Sequence, residues 1–155
     1  MIVSIDVEDT GWAAIPGLEA QAHAAIAAAL KAGGESGDNV AVALLLTGDD
    51  EIAILNHDWR GKKGPTNVLS FPAGGLPLPP GEARPLGDIV LAYGTVAREA
   101  GEQGKTLPQH AIHLIVHGVL HLLGQDHLKS DEADAMEDLE RRILSQLGIA
   151  DPYER

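Results

Sequence analysis

The residues of this chain best suited to chemistry are two histidines, His117 and His121, which lie four positions apart. On a helix this spacing gives a rise of about 6 Å and a rotation of about 40°, so both imidazole rings project from one face. Imidazole nitrogens are common ligands of transition metals. The pair therefore predicts one side of a metal site, with further ligands expected from the segment that follows.

Three residues after the second histidine, Gly124 can adopt the left-handed conformation that ends a helix and turns the chain back. His127 can then meet His117 and His121. Three neutral imidazoles leave a tetrahedral ion one open position for water, an arrangement typical of catalytic zinc. We expect one Zn²⁺ per chain, although another divalent transition metal would suit the same ligands.

Two alternatives to a catalytic centre stay open at this point. The helical histidines can be core residues that bind no metal. A closed structural site is the second alternative, with Asp126, His57 or His113 as its fourth ligand. Structural zinc usually recruits cysteine, and this chain has none.

Composition limits the compartment and the partners. The 155 residues are enough for one domain, residues 1–155, with a substantial core. The chain shows no secretory signal and no long apolar run, so we expect a cytoplasmic protein without a membrane partner.

The net charge of −12 argues against strong electrostatic binding to nucleic acid over a broad surface. An acidic run near the C-terminus is interpreted as a solvated helix face; it contains Asp131, Glu132, Asp134, Glu137, Asp138 and Glu140.

Hydrophobic periodicity predicts a small α/β or α+β fold, in which a mixed sheet of about four strands packs with about five helices. The predicted strands are Ile2–Val7, Val40–Leu46, Thr66–Phe71 and Asp88–Tyr93. The predicted helices are Pro16–Ala32, Asp49–Asp58 (with Asp49 as the cap), Val96–Gln103, Thr106–Leu123 and Ser130–Leu147. The segment Pro72–Pro85 contains five prolines and predicts an exposed, irregular loop.

The helix that carries the histidines is expected to be buried, with the metal site at its end. Thr106 and Gln109 form a capping-box pattern, and Pro108 suits the first turn. The helix is apolar on most sides, which indicates burial. Its main polar feature is one face of four histidines, at positions 110, 113, 117 and 121.

The residue after the first histidine helps to decide which substrate bond a metal site of this kind could hydrolyse. Metzincin proteases share the pattern H-x-x-x-H-x-x-G-x-x-H but place a glutamate general base directly after the first histidine. Gly118 occupies that position here. A metalloprotease-like hydrolase would thus lack its usual base, and Asp126 is better placed to orient a ligand than to replace it.

Phosphodiester cleavage in RNA needs less from the protein, because the 2′-hydroxyl is a built-in nucleophile. A metal and one cationic phosphate clamp then supply much of the catalysis. Arg60 is the candidate clamp, since guanidinium binds phosphate with two parallel hydrogen bonds. Lys62 and Lys63 either extend an RNA-binding track or are simply turn residues, and the sequence does not choose between the two. His113, one turn before His117, is a candidate to support a ligand, to shuttle protons or simply to pack in the core.

Several segments together resemble a known family. His117-Gly-Val-Leu-His-Leu-Leu-Gly-Gln-Asp-His127 is similar to the H-G-x-L-H-L-x-G-Y-D-H signature of the YbeY family, bacterial metal-dependent endoribonucleases. Further similar segments are Trp59–Gly61, Pro65–Pro72, Leu86–Val90 and the C-terminal Leu147–Tyr153. Two positions depart from the family pattern, Gln125 in place of tyrosine and Lys63 in place of an acidic residue.

The resemblance implies zinc on His117, His121 and His127 and a functional role for Arg60. It also implies a single-strand-specific endoribonuclease in late 16S rRNA 3′-end maturation and ribosome quality control, with precursor ribosomal RNA as its partner. A basic ribosomal protein, attracted to the acidic surface, or a GTPase assembly factor are further expected partners. The alternative function is a non-catalytic ribosome-assembly factor whose metal stabilises the fold.

Overall fold

The fold is a mixed four-stranded sheet packed with five helices within the part of the chain that the computed structural model describes, residues 1–35, 39–73, 81–124 and 130–153. The strands are β1 (Ile2–Val7), β2 (Val40–Thr47), β3 (Val68–Pro72) and β4 (Arg84–Ala92). The sheet order is β1-β2-β4-β3; β3 runs antiparallel to β4 and the other pairs are parallel. The strand and helix numbers and the mixed sheet confirm the fold expected from the sequence.

The helices are α1 (Leu18–Ala32), α2 (Asp49–Arg60), α3 (Tyr93–Glu102), α4 (Leu107–Leu122) and α5 (Ser130–Gln146), and a 3-10 helix spans Thr10–Ala14. Each predicted helix has its counterpart, with differences of a few residues at the ends. Among the described residues, no helix is both long and apolar enough to cross a membrane.

The sheet divides the core into two unequal parts. Strand β2 alternates, and four of its side chains join the large cluster that α1, α4 and α5 cover: Val40, Val42, Leu44 and Leu46. On the other face, Ile52 of α2 packs with Leu69, Val90 and Ala92. Because successive side chains of a strand point to opposite faces, α4 and α2 lie on opposite sides of the sheet.

Three predicted boundaries were wrong, for local physical reasons. Gly48, not Asp49, caps α2; the Asp49 carboxylate instead accepts hydrogen bonds from the backbone N–H and hydroxyl of Thr95, both at 2.9 Å, and so ties α2 to α3. Tyr93 begins α3 instead of ending a strand. Arg84 and Pro85, expected in a loop, pair with β2 as the start of β4. Residues 74–80 of that predicted loop lie outside the described residues.

Candidate metal centre

Helix α4 presents its histidines in an order of increasing exposure. Thr106 and Gln109 form the expected capping box, with the Thr106 hydroxyl accepting from the Gln109 N–H at 3.2 Å. The helix is buried along most of its length, as its apolar sequence predicted. His110 is only 3% exposed, whereas His117 and His121, in the last two turns, are half-buried. The histidine face of α4 therefore extends from the buried core to an accessible end of the helix.

The first histidine of this face is a packed core residue. The His110 Nε2 atom lies 2.9 Å from a carboxylate oxygen of Glu99 on α3. Burial lowers the pKa of His110, and the hydrogen bond that His110 donates to the Glu99 carboxylate only partly opposes that effect. His110 thus stabilises the contact between α3 and α4 and does not take part in the proposed metal site.

His117 and His121 are brought together at the accessible end of α4. Their Nε2 atoms are 3.0 Å apart, and their rings meet edge to face. Two nitrogens bound to one tetrahedral zinc ion at the usual distance would be about 3.3 Å apart. The two imidazoles therefore fit a shared metal ion with only a small adjustment of their rings.

The chain turns directly after this pair. Leu123 caps α4, and Gly124 has a φ of +92°, so the left-handed turn expected at this glycine is present. Gln125, Asp126 and His127 lie outside the described residues, and the roles expected for them stay predictions. Among the described residues, no third histidine, cysteine or carboxylate completes a metal-binding group with the pair.

A buried carboxylate lies behind the histidine pair. Glu140 of α5 is completely inaccessible, which shows that the interpretation of the acidic run as a solvated face was wrong at this position. One carboxylate oxygen lies 2.6 Å from the His117 Nδ1 atom, and the other lies 2.9 Å from the His113 Nε2 atom. The Tyr153 hydroxyl also hydrogen bonds to Glu140 and lies 3.2 Å from His113. Four side chains from α4, α5 and the C-terminal segment thus form one polar cluster.

The protonation of this cluster follows from its contacts. Burial alone would raise the pKa of Glu140, but hydrogen bonds to His113, His117 and Tyr153 outweigh burial and lower the pKa to about 2. Burial and the neighbouring Glu140 charge raise the pKa of Tyr153 above its ordinary value. At neutral pH the cluster therefore contains an ionised carboxylate and a neutral phenol.

At Gly118, the position where metzincin proteases carry their glutamate base, the sheet leaves no room for a side chain. A Cβ atom placed on Gly118 would lie 2.8 Å from Ile89 Cγ2 and 3.2 Å from the Ser70 hydroxyl oxygen. That hydroxyl also donates a hydrogen bond to the Gly118 carbonyl oxygen at 3.2 Å. Residue 118 therefore faces β3 and β4, and a glutamate there would collide with the sheet instead of reaching the metal. The geometry disfavours the metalloprotease alternative.

The predicted phosphate clamp lies apart from the histidines. Arg60 is the last residue of α2, exposed and without a hydrogen bond or ion pair among the described residues. Its position is fixed by the left-handed Gly61 that follows it and by Asn56, whose amide donates to the Gly64 carbonyl oxygen at 3.0 Å. Lys62 is also exposed and lies in the turn that the Asn56–Gly64 hydrogen bond stabilises.

Edge strand β3 lies between the two predicted parts of the site. Its Ser70 side chain contacts Gly118 of α4, whereas its Phe71 side chain, pointing to the other face, packs edge to face against Trp59 at 5.9 Å. Trp59 is 71% exposed and directly precedes Arg60. The histidines and the basic residues are thus on the two sides of the same edge strand.

Sequence reasoning missed Glu140 and Tyr153, although one signal was available for the first. Glu140 lies four residues after buried Met136 and three or four before buried Ile143 and Leu144. This spacing places Glu140 on the apolar face of α5. A carboxylate on a buried helix face needs partners, so the spacing could have pointed to the histidines.

Comparisons with known proteins agree with the resemblance. A family model described as Endoribonuclease YbeY matches residues 8–148. A protein named Endoribonuclease YbeY from Azorhizobium caulinodans is 48% identical over 99% of this chain and 96% of its own length. One of the same name from Alkalilimnicola ehrlichii is 55% identical over 83% of this chain and 76% of its own length.

The fold is also similar to a solved structure, the solution structure of TM1509 from Thermotoga maritima. The two chains superpose with a TM-score of 0.57, over 99% of this chain and all of the other. Their sequences are 24% identical, so this likeness concerns the fold alone.

Proposed function

This chain belongs to the endoribonuclease YbeY family, and on that premise we propose that it is a metal-dependent endoribonuclease of ribosomal RNA. More finely, the proposed reaction is the cleavage of single-stranded precursor RNA in maturation of the 16S rRNA 3′ end and in ribosome quality control. The proposed compartment is the cytoplasm, and residues 1–155 act as one domain. The observation that carries the proposal is the convergence of the His117 and His121 Nε2 atoms at an accessible helix end.

The donor set defines the cofactor. His117 and His121 would hold a divalent ion through Nε2, with His127 as the expected third ligand. The proposed ion is Zn²⁺, one per chain; another imidazole-binding divalent metal suits the same donors. When bound, such an ion polarises a phosphoryl oxygen and lowers the pKa of the attacking group. The Glu140 carboxylate accepts a hydrogen bond from His117 Nδ1, the ring nitrogen that does not face the proposed ion, and so keeps the ring in place.

The basic residues at the end of α2 are proposed to hold the RNA backbone. The Arg60 guanidinium, which has no hydrogen bond or ion pair with the residues that the structure describes, can bind a phosphate with two hydrogen bonds, and Lys62 adds a second cation to the same turn. Trp59 offers an exposed ring on which an unpaired base can stack. An RNA single strand that crosses the edge strand β3 would contact this end of α2 and the histidines of α4 together.

Stacking on Trp59 requires an unpaired base, which supports single-stranded RNA as the substrate over a duplex. The test is to incubate the zinc-loaded protein with one ribosomal RNA fragment, alone and annealed to its complement. Cleavage of the free strand and protection of the annealed strand are expected. Equal cleavage of both forms, or cleavage of neither, contradicts the proposal. Cleavage is followed on end-labelled RNA, with metal-free protein as the control for contaminating ribonuclease.

A purely structural role for the metal is the less favoured function. A structural zinc site is closed by four protein ligands and needs no access for a substrate, whereas His117 and His121 lie at an accessible end of a helix. The relatives are named endoribonucleases, which also favours an enzyme.

The first proposed protein partner follows from the charge of the chain. The net charge of −12 favours a basic ribosomal protein, which would be attracted over a long range at low ionic strength. A GTPase assembly factor is a further proposed partner, which the family resemblance implies.

A further inference from the structure

Glu140 is a carboxylate buried without a lysine or arginine partner among the described residues. Its ion-pair partners there are His113 and His117, and its side chain is completely inaccessible. An ionised carboxylate in such a place is costly unless several donors satisfy its oxygens. Glu140 has three: two imidazole N–H groups and the Tyr153 hydroxyl. Its environment is therefore built around the charged form.

Counting protons in this cluster fixes two histidine tautomers. An ionised carboxylate only accepts hydrogen bonds, so each of its partners must donate. His117 must then carry its proton on Nδ1, the atom 2.6 Å from Glu140, and His113 on Nε2, the atom 2.9 Å from Glu140. With the proton on Nδ1, a neutral His117 has its lone pair on Nε2. That is the atom directed at His121.

We propose that Glu140 is the positioning residue of the metal centre: it selects the Nδ1–H tautomer of His117 and fixes the ring so that Nε2 is ready to bind a metal. This inference rests on the metal site of the proposed function and adds to it a residue that touches neither metal nor RNA. A carboxylate that accepts from the second nitrogen of a metal-binding imidazole orients the ring and makes it a better ligand.

His113 and Tyr153 act on the proposed metal site through Glu140. Both bind the carboxylate oxygen opposite to the one that faces His117. They keep the carboxylate from rotating and leave its other oxygen for His117. His113 donates through Nε2 to Glu140, so this nitrogen is engaged there and His113 has a supporting role instead of a ligand's role.

The test is Glu140→Gln, with Glu132→Gln as the matched control. Glutamine keeps the size of Glu140, but one of its two terminal atoms donates and cannot accept from histidine or tyrosine. Glu132 lies on the same helix and is exposed, so its variant makes the same change of charge without touching the cluster. Two quantities are measured: zinc affinity by competition with a chromophoric chelator, and histidine tautomers by ¹⁵N NMR of the metal-free protein.

The expected result is a 10- to 100-fold loss of zinc affinity in Glu140→Gln, the range typical for removal of such a partner. The His117 resonances should also show loss of the pure Nδ1–H tautomer, and Glu132→Gln should match the wild type in both measurements. A folded Glu140→Gln protein that keeps the wild-type zinc affinity or the Nδ1–H tautomer would overturn the proposal. If Glu140 only stabilised the fold, its replacement would lower the free energy of unfolding without changing the tautomer of His117.

The wild-type protein provides a second test in case Glu140→Gln does not fold. Metal-free wild type must show His117 protonated on Nδ1 and His113 on Nε2 when both are neutral. His117 protonated on Nε2 would overturn the inference without any variant. Both measurements are made without RNA, so a protein that binds zinc as described but leaves RNA intact would refute the proposed nuclease activity and not the role of Glu140.

Discussion

Replacing Arg60 with alanine is expected to reduce the cleavage of single-stranded RNA by about 100-fold while the fold and the zinc affinity stay unchanged. The guanidinium is exposed at the end of α2 and makes no hydrogen bond or ion pair with the described residues that its removal would break. A pair of hydrogen bonds to a charged partner contributes about 3 kcal/mol, which corresponds to roughly this factor in kcat/KM. The loss should appear mainly in kcat if Arg60 holds the phosphate that is cut.

The matched control for this variant is Arg142→Ala. Arg142 is also an exposed helical arginine, but it lies on α5, away from the turn that carries Lys62. Arg142→Ala should cleave at the wild-type rate, and Arg60→Lys should recover only part of the activity, because an ammonium group cannot form the paired hydrogen bonds. Full activity in Arg60→Ala would show that this residue is not the phosphate clamp.

Replacing His121 with alanine is expected to abolish metal binding at micromolar zinc and, with it, RNA cleavage. Zinc sites with four ligands bind with roughly 10–16 kcal/mol in total, so one ligand is worth roughly 2.5–4 kcal/mol, or about 70- to 900-fold in affinity. His121 is the better choice than His117, since His117 also hydrogen bonds to the buried Glu140. The His121 variant should therefore lose the metal without leaving a buried charge unpaired.

His57→Ala is the control for the histidine variant. The His57 side chain is 70% exposed on α2 and lies beside Asp58, on the face of the sheet opposite α4. It should bind one zinc ion per chain and cleave RNA as the wild type does. A His121→Ala protein that retains both zinc and activity would exclude this residue as a ligand. Circular dichroism distinguishes the expected loss of metal and activity from misfolding.

The helix that carries the metal ligands was predictable from local rules. Its start follows from the Thr106–Gln109 capping box, its burial from apolar residues on most sides, and its end from Gly124. Each of these signals lies within a few residues of the structure it specifies. The four-residue spacing of His117 and His121 likewise fixes their relative position without knowledge of the rest of the fold.

The partners of these histidines were not predictable from local rules, because they come from distant parts of the chain. Glu140 is 23 residues from His117, and Tyr153 is 40 residues from His113. Their meeting depends on how α5 packs against α4. Asp49 shows the same limit: its sequence position suits a helix cap, but it binds Thr95, 46 residues away.

The location of Arg60 relative to the histidines also depends on the whole sheet. The sequence predicts that Trp59 and Arg60 follow a helix that ends at Asp58, but does not say which face of the sheet this helix covers. The structure puts α2 opposite α4, with Phe71 and Ser70 of β3 pointing to the two faces. The path proposed for RNA across the edge strand is a consequence of that topology.

The measurement that most directly tests the central claim is a zinc titration of metal-free protein, followed by the cleavage of a single-stranded ribosomal RNA fragment. The account predicts no cleavage without metal, and activity that rises with added Zn²⁺ and saturates at one ion per chain. A chelator should then remove the activity, and a second addition of zinc should restore it. Cleavage by the metal-free protein, or stoichiometric zinc binding that brings no cleavage, would contradict the account.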